Sequence, residues 1–300
     1  MNSVTVKTFI LTMVALVAFA GNSMLCRLAL KTMSIDAGSF TLLRLISGAV
    51  ALIFLTRLFR ESRQDRGRSI KYSDSGGWLG GFSLFVYAAF FSYAYVSLDT
   101  ATGALILFGS VQISLIVYGM AKGEKLSLIE GLGFLVSCAG FAYLLLPELT
   151  KPSSVGLALM VVSGCAWAVY TVQGQGSKSP LNDSAYNFTR ALPFSLLLFI
   201  LMAFGLLGEV TLSWRGVLLA TASGALTSGI GYAVWYSALR SLSTTVAAVS
   251  QLAVPVIAAI LAIMFVGEAI TIRLLLSSVA VLGGISIVIM SKRSNKIKYE

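Results

Sequence analysis

A few polar side chains sit inside long apolar runs of this chain, and their chemistry needs explaining first. Asn22, Gln112 and Gln251 carry amides, while Thr227 and Ser228 carry hydroxyls. A bare amide in an apolar environment is costly, so each needs a partner, a water or a bound molecule. Aromatic residues recur at helical spacing around them. Ser163, Trp167 and Tyr170 fall at i, i+4 and i+7; Tyr87, Phe91 and Tyr95 share one face; Ser228, Tyr232, Trp235 and Tyr236 share another. Tyr and Trp combine a flat apolar wall with a hydrogen-bonding tip, which suits an aromatic or amphipathic small molecule. Such stripes also serve plain packing. Trp167 stands apart because it lies near the middle of its run, where an interfacial aromatic would not.

Pro255 adds a backbone feature. It lies near the middle of an apolar run, has no N–H for the carbonyl of Gln251 and clashes with it. The expectation is a carbonyl that faces protein or a water-filled cavity, either as the wall of a site or as a packing kink. Arg44 and Arg190 are charges within runs. Insertion scales charge about 2.5–3.5 kcal/mol for Arg at a helix centre, so each must find carbonyls, water or an anion. Both read as structural, because one site seldom needs two. Arg27, near the end of its run, reads as snorkelling to the interface.

Bond-breaking chemistry finds little support. Histidine is absent, which removes His-based triads, His-ligated metals and His proton relays. Cys26, Cys138 and Cys165 lie at no metal-like spacing. None of the 12 carboxylates reaches the centre of a run; Glu130 is about one turn in, and Asp99 joins two runs. Glu124 and Glu268 follow Gly123 and Gly267 in matched turns, where a carboxylate can accept N–H groups at a helix N-terminus. Gly174-Gln175-Gly176 lacks the third glycine of a dinucleotide loop, and no Walker A sequence exists. The expectation is a protein that is not an enzyme, with no cofactor and no metal.

The elements that must position these residues follow from composition. Of 300 residues, 57% are hydrophobic and only 11% charged, with mean hydropathy +0.88. A soluble domain carries about 25% charged residues, so the solvent here is a bilayer. Ten apolar runs each suit a spanning helix: Phe9–Leu30, Ala37–Leu55, Gly77–Leu98, Thr100–Ala121, Leu126–Leu146, Ser154–Gly174, Ala185–Leu207, Gly216–Leu239, Thr244–Val266 and Ile272–Met290. Ala18-Phe19-Ala20 has the form of a signal-peptidase site, but the run continues past it, and a retained helix is expected. The net charge of +10 is topology, not a nucleic-acid patch. Fifteen Lys and Arg fall on one side of the runs and only Lys31, Lys151, Arg215 and Arg273 on the other. The positive-inside rule puts both termini in the cytoplasm, and Trp78 and Trp214 fall at interfaces.

The two halves repeat. Shifted by 144 positions, Ala94–Glu124 aligns without gaps on Ala238–Glu268 with nine identities in 31, where about three would arise by chance. A shift of 146 pairs Arg44 with Arg190. Five helices is an odd number, so the second copy enters the membrane inverted. That is a signature of secondary transporters. The expected fold is an all-α polytopic membrane protein, ten transmembrane helices in two inverted five-helix repeats, residues 1–150 and 151–300, the second ending in a basic cytoplasmic tail.

The segments AFAGNSMLCRLAL and SFTLLRLISGAVAL, with Arg44, resemble the opening of an EamA-type unit of the drug/metabolite transporter superfamily. ALILFGS and GEKLSLIEGLGFLVSCAGFAYLLLP resemble its close. CAWAVYTV and the stretch from Tyr232 to Met290, with Pro255 and Gly267-Glu268, are similar to a second unit. The resemblance covers essentially the whole chain. It implies a ten-helix exporter or permease of small organic molecules working by alternating access, with helices 1, 3, 4, 6, 8 and 9 lining a cavity and 5 and 10 bracing it. Many units of this family carry a proline in the fourth helix; here Val111 aligns with Pro255 and Gln112 follows.

The expected function is thus a secondary transporter in the inner membrane. Its partners are a small-molecule substrate and the lipid bilayer, not nucleic acid, and a homodimer stays open. The candidate cavity residues are Asn22, Tyr87, Gln112, Trp167, Tyr170, Ser228, Tyr232, Trp235, Gln251 and Pro255. Arg44, Arg190, Glu124 and Glu268 take structural or electrostatic roles. The alternative is a membrane binding or scaffold protein on the same fold that moves nothing.

Overall fold

The structure, a computed structural model, describes residues 3–64, 77–123, 127–145, 154–175, 177–206, 208–242, 247, 250–251, 253–267 and 271–299. The apolar runs are helices, as they must be where no water satisfies the backbone. They are α1 (Ser3–Lys31), α2 (Ala37–Gln64), α3 (Trp78–Ser97), α4 (Thr100–Ala121), α5 (Leu128–Leu145), α6 (Ser154–Gln175), α7 (Pro180–Ala203), α8 (Trp214–Leu239), α9 (Ala253–Val266) and α10 (Ile272–Tyr299). Among the described residues there is no strand, only an isolated antiparallel bridge between Ile35 and Leu212. Among the described residues, seven helices are long and apolar enough to cross a membrane: α1, α2, α3, α4, α6, α7 and α8. The apolar stretches Leu128–Gly140, Ala253–Val266 and Leu275–Gly284 are shorter. The outward faces are apolar as well, with Phe9, Val50, Phe54, Leu135 and Ile260 exposed, as lipid contact requires.

Local chemistry sets the helix ends. Pro180 occupies the first turn of α7, so that helix starts five residues before the apolar run does. Asp36 caps α2 by accepting from Ser39 N at 2.7 Å. Ser213 Oγ caps α8 by accepting from Gly216 N at 3.1 Å. Ser127 and Glu130 form a reciprocal capping box at the start of α5: Ser127 N donates to Glu130 Oε2 at 2.9 Å, and Glu130 N donates to Ser127 Oγ at 3.3 Å. Glu124 and Glu268 lie outside the described residues. The glycines before them both take left-handed conformations, Gly123 with φ 90° and Gly267 with φ 68°.

Two sequence expectations change, on Arg27 and Pro255, and one point the sequence left open, the course of α4, is answered. Arg27 does not snorkel. Its Nη1 donates to the carbonyls of Tyr95 and Val96 at 2.9 and 3.2 Å, and its Nη2 pairs with Asp99 at 3.0 Å. The open carbonyls at the C-terminus of α3 draw the guanidinium there. Helix α4 runs unbroken from Thr100 to Ala121, because Val111 supplies the N–H a proline would lack. Pro255 is in the first turn of α9 and not in the middle of a continuous helix. The helix is interrupted at Gln251, whose carbonyl is not orphaned: Val254 N donates to it at 3.1 Å.

Helix α8 holds the largest irregularity. Ser223–Ile230 forms a π-helical segment inside it. Such wide turns are rare and cluster at functional sites. The segment lies against α2, where a Cβ on Gly224 would meet the carbonyl of Arg44 and the hydroxyl of Ser47. Elsewhere α5 packs on α10, α3 on α6 and α7, α2 on α7, and α1 on α8 and α9; α4 packs on α6 and α9. The α1–α2 and α7–α8 loops clasp each other. Asp36 N donates to Thr211 O at 3.1 Å, Thr211 N to Asp36 Oδ2 at 2.9 Å, and Ser213 N to Ser34 O at 2.9 Å.

Glycine at 224 is therefore a packing requirement. Gly224→Ala should destabilise the protein by about 1–3 kcal/mol, since backbone on α2 blocks the new methyl. Gly283→Ala, which meets open space, should be neutral or mildly stabilising. Thermal unfolding of the two variants in detergent measures the difference.

Candidate functional site

The polar and aromatic residues singled out from the sequence converge in one buried cluster. Its centre is Arg44 of α2, with only 1% of its surface exposed. Arg44 Nε donates to Ser228 Oγ at 2.8 Å. Its Nη2 donates to Tyr232 OH at 2.6 Å and Tyr87 OH at 3.1 Å. Tyr232 OH donates to Tyr87 OH at 2.8 Å, and Asn22 Nδ2 donates to the same oxygen at 3.2 Å. On the other side of Asn22, its Oδ1 accepts from Ser223 at 2.7 Å, Ser228 at 3.3 Å and Thr227 at 3.4 Å. The π segment explains how three hydroxyls from one helix reach one amide oxygen: its wider turn spreads Ser223, Thr227 and Ser228 along the face toward α1.

Aromatic rings close over this network. Trp167 of α6 lies 4.8 Å from the ring of Tyr87, 4.7 Å from Tyr232, 5.3 Å from Phe19 and 5.3 Å from Tyr170. Trp235 packs edge-on against Phe19 at 5.5 Å. The Arg44 guanidinium lies 5.1 Å from the Tyr87 ring and 5.0 Å from Phe91, within cation–π range. Trp167 Nε1 donates to Gln251 Oε1 at 2.8 Å, and Gln251 Nε2 donates to Ala247 O at 3.2 Å. The interrupted helix thereby presents the amide of Gln251 to the cluster. Ser163 Oγ fixes α6 to α3 by donating to Tyr87 O at 2.9 Å, and Tyr236 OH ties α8 to Tyr170 O at 2.9 Å.

Of the sequence candidates, Asn22, Tyr87, Trp167, Tyr170, Ser228, Tyr232, Trp235 and Gln251 come together. Pro255 is buried in the turn that follows Gln251. Gln112 is placed differently, beside Phe134 and Ser137 of α5 and Val281 of α10 around a small void. Arg44 and Arg190 are not equivalents. Arg44 is at the centre, whereas Arg190 is half-buried with its guanidinium 5.3 Å from the Tyr186 ring. The sequence assigns Arg44 a structural or electrostatic role; the structure places it among the candidate cavity residues. The glycine contact between α2 and α8 brings it in. Sequence reasoning put Phe91 on the face of Tyr87 but missed Phe19 and Ser223. Phe19 is three residues before Asn22, on the same helical face, and that spacing was a usable signal.

No group of three or more His, Cys, Asp or Glu that could hold a metal occurs among the described residues. The cluster offers N–H and O–H donors at one end and aromatic faces at the other.

A family model described as the EamA-like transporter family matches residues 154–290. A protein from Pseudomonas aeruginosa, described as uncharacterized, is 49% identical over 283 residues, 94% of each chain. The chain belongs to the EamA-like transporter family. Two proteins from Archaeoglobus fulgidus, each described as an uncharacterized transporter, are similar to this EamA-like chain. One is 31% identical over 59% of this chain and 63% of its own; the other is 25% identical over 75% and 82%. A crystal structure shares the fold, with TM-score 0.62 at 19% identity over 93% of this chain and 97% of that one. Membership makes this a multi-pass membrane protein of the transporter class within the drug/metabolite superfamily.

Two variants test the cluster's internal bonds. Tyr232→Phe removes the phenol oxygen that accepts from Arg44 and should lower stability by about 1–3 kcal/mol, as hydrogen bonds to charged groups do. Trp167→Phe loses the bond to Gln251 and also the second ring of a buried indole, so the cavity adds to the lost bond, for about 2–4 kcal/mol. Thermal unfolding in detergent should show the larger loss for Trp167→Phe.

Proposed function

We propose that the chain is a secondary carrier that moves a small organic molecule by alternating access, with the substrate bound at the Arg44–Tyr87–Tyr232–Trp167 cluster. The observation that carries this reading is the cluster itself: buried polar and aromatic groups contributed by α1, α2, α3, α6 and α8 that converge on one charged side chain. The π segment in α8 and the break before Pro255 both lie beside it, and irregular backbone at membrane depth belongs next to a cavity.

In this reading α5, α9 and α10 also span, giving ten helices in two inverted repeats over residues 1–150 and 151–300. The helix neighbours support the repeat. Exchanging each helix for the one five places away turns the α3–α6 contact into α8–α1, the α4–α6 contact into α9–α1 and the α3–α7 contact into α8–α2, all of which occur. The matched left-handed glycines 123 and 267 support it too. With both termini in the cytoplasm, as the basic residues argue, the clasp between the α1–α2 and α7–α8 loops lies on the outer face. The same face holds the Arg27–Asp99 pair and the bond from Lys31 Nζ to Val266 O at 3.3 Å. These contacts close the outer path, and alternating access requires the clasp to open. The site residues then work as an exporter or permease of the inner membrane, with binding and not catalysis as their task.

Comparing metabolites inside and outside cells that lack or overproduce the protein tests transport directly. The wild type should shift at least one small organic molecule, and the double variant Trp167→Ala with Gln251→Ala should abolish the shift while still reaching the membrane. A null profile in cells and in proteoliposomes would leave a binding or scaffold role. The clasp gives a second test. In the Ile35→Cys, Leu212→Cys variant, oxidation should stop transport and a reductant should restore it; unaffected transport when cross-linked would rule out opening at this point.

A further inference from the structure

The hydrogen-bond inventory of the cluster does not balance, and the imbalance has a sign. Arg44 is a permanent cation, and every partner it has is neutral: Ser228, Tyr87 and Tyr232 by hydrogen bonds, Phe91 and Tyr87 by their rings. The ion pair of Arg27 with Asp99 is at the end of α3 and does not involve it. Its Nη1 is buried with no acceptor. The Nε1 of Trp235, whose ring packs on Phe19 in the same cluster, is likewise buried with no acceptor. Three donors, from Asn22, Arg44 and Tyr232, converge on the Tyr87 oxygen, which has two lone pairs. Whichever phenol donates in the Tyr87–Tyr232 pair, the hydrogen of the other is left over. Donors exceed acceptors, and a buried positive charge lacks a counter-charge. Removing charge from water is tolerated when the charge is paired.

From this we infer that the carrier's substrate is an organic carboxylate: an anionic –COO⁻ headgroup on an aromatic or apolar body. A carboxylate brings two oxygens with about four lone-pair sites and one negative charge, and it fits the guanidinium fork in two parallel bonds. Arg44 Nη1 and Nη2 would take the headgroup, with the phenols of Tyr87 and Tyr232 donating to its remaining lone pairs. In the conformation seen here those two phenols occupy Nη2, as neutral stand-ins for the anion. The walls suit the body. Phe19, Trp167, Tyr170 and Trp235 offer ring faces and edges and no second cation. A substrate with a net positive charge would face Arg44 with no acid to shield it. A neutral alcohol or amide would leave the charge unpaired, as it is now.

This inference rests on the carrier reading for the word substrate, and the test separates the two. Purified full-length protein in detergent is titrated with phenylacetate, hexanoate, phenethylamine, 2-phenylethanol and inorganic phosphate, followed by tryptophan fluorescence and by the shift in thermal unfolding. Phenylacetate should bind, at least tenfold tighter than phenethylamine, 2-phenylethanol or phosphate, with hexanoate between. Arg44→Gln should weaken phenylacetate at least tenfold, Arg44→Lys by less, and Arg190→Gln should leave it unchanged. The charge preference of the wild type needs no variant, so a poorly folding Arg44→Gln leaves the test intact. Equal binding of the alcohol or amine, or no binding of either acid, overturns the carboxylate; equal binding of phosphate overturns the apolar body. Proteoliposomes loaded with phenylacetate then test exchange against labelled phenylacetate. Binding without exchange keeps the carboxylate site and overturns the carrier. Exchange of the neutral alcohol as fast as the acid, unaffected by Arg44→Gln, keeps the carrier and overturns the carboxylate.

Discussion

One guanidinium within a bilayer governs how the rest of this protein is arranged. Arg44 stays charged and is buried, so its N–H groups need acceptors from within the fold, and Nε and Nη2 find theirs on other helices. Meeting them needs oxygen atoms from other helices, and those helices must approach closely. Gly224 lets α8 touch the backbone of α2 beside Arg44. The π segment then turns Ser228 and Tyr232 onto the guanidinium, and Tyr87 arrives from α3. Asn22 bridges the two groups of hydroxyls, which ties α1 to both. The packing of four helices thus follows from solvating one charge without water.

The same site shows how a membrane protein uses aromatic residues. Rings at 4.7–5.3 Å from Trp167 fill the space around the polar network and keep lipid and water away from it. A tyrosine serves both tasks at once, with its face in the apolar wall and its oxygen in the network. That dual role explains why Tyr87 and Tyr232, and not Phe, flank Arg44. It also gives the site two ends of different chemistry within one side chain's length.

Much of this was legible in the residues and some was not. Helices were readable because a bilayer leaves the backbone few other choices. Asn22, Trp167, Tyr232 and Gln251 were readable because polar or amphipathic groups inside apolar runs must be turned inward. Gln112 carries the same signal as Asn22 and went elsewhere. Its helix is apolar on every side, so the sequence marks no inner face and fixes no rotation. Phe19 was hidden for a related reason: a phenylalanine toward the site and one toward lipid look alike, as exposed Phe54 shows. Arg44 announced burial but not direction, and its match to Arg190 suggested a symmetry the side chains do not keep. The capping box of Ser127 and Glu130 stood in the sequence as S-x-x-E; attention to Glu130 as a lone carboxylate passed over it. The π segment in Ser-Gly-Ala-Leu-Thr-Ser-Gly has no periodic pattern that would betray it.

That wide turn has a consequence for how this chain can change in length. Relative to an α-helix, a π turn holds about one surplus residue. Deleting one residue inside Ser223–Ile230 would let the helix regularise, and everything beyond would stay in phase, with Tyr232 and Trp235 still on the face that meets Arg44. What would be lost is the spread that brings Ser223, Thr227 and Ser228 onto the amide of Asn22. The surplus residue thus serves the hydroxyls inside the wide turn and not the aromatic face beyond it.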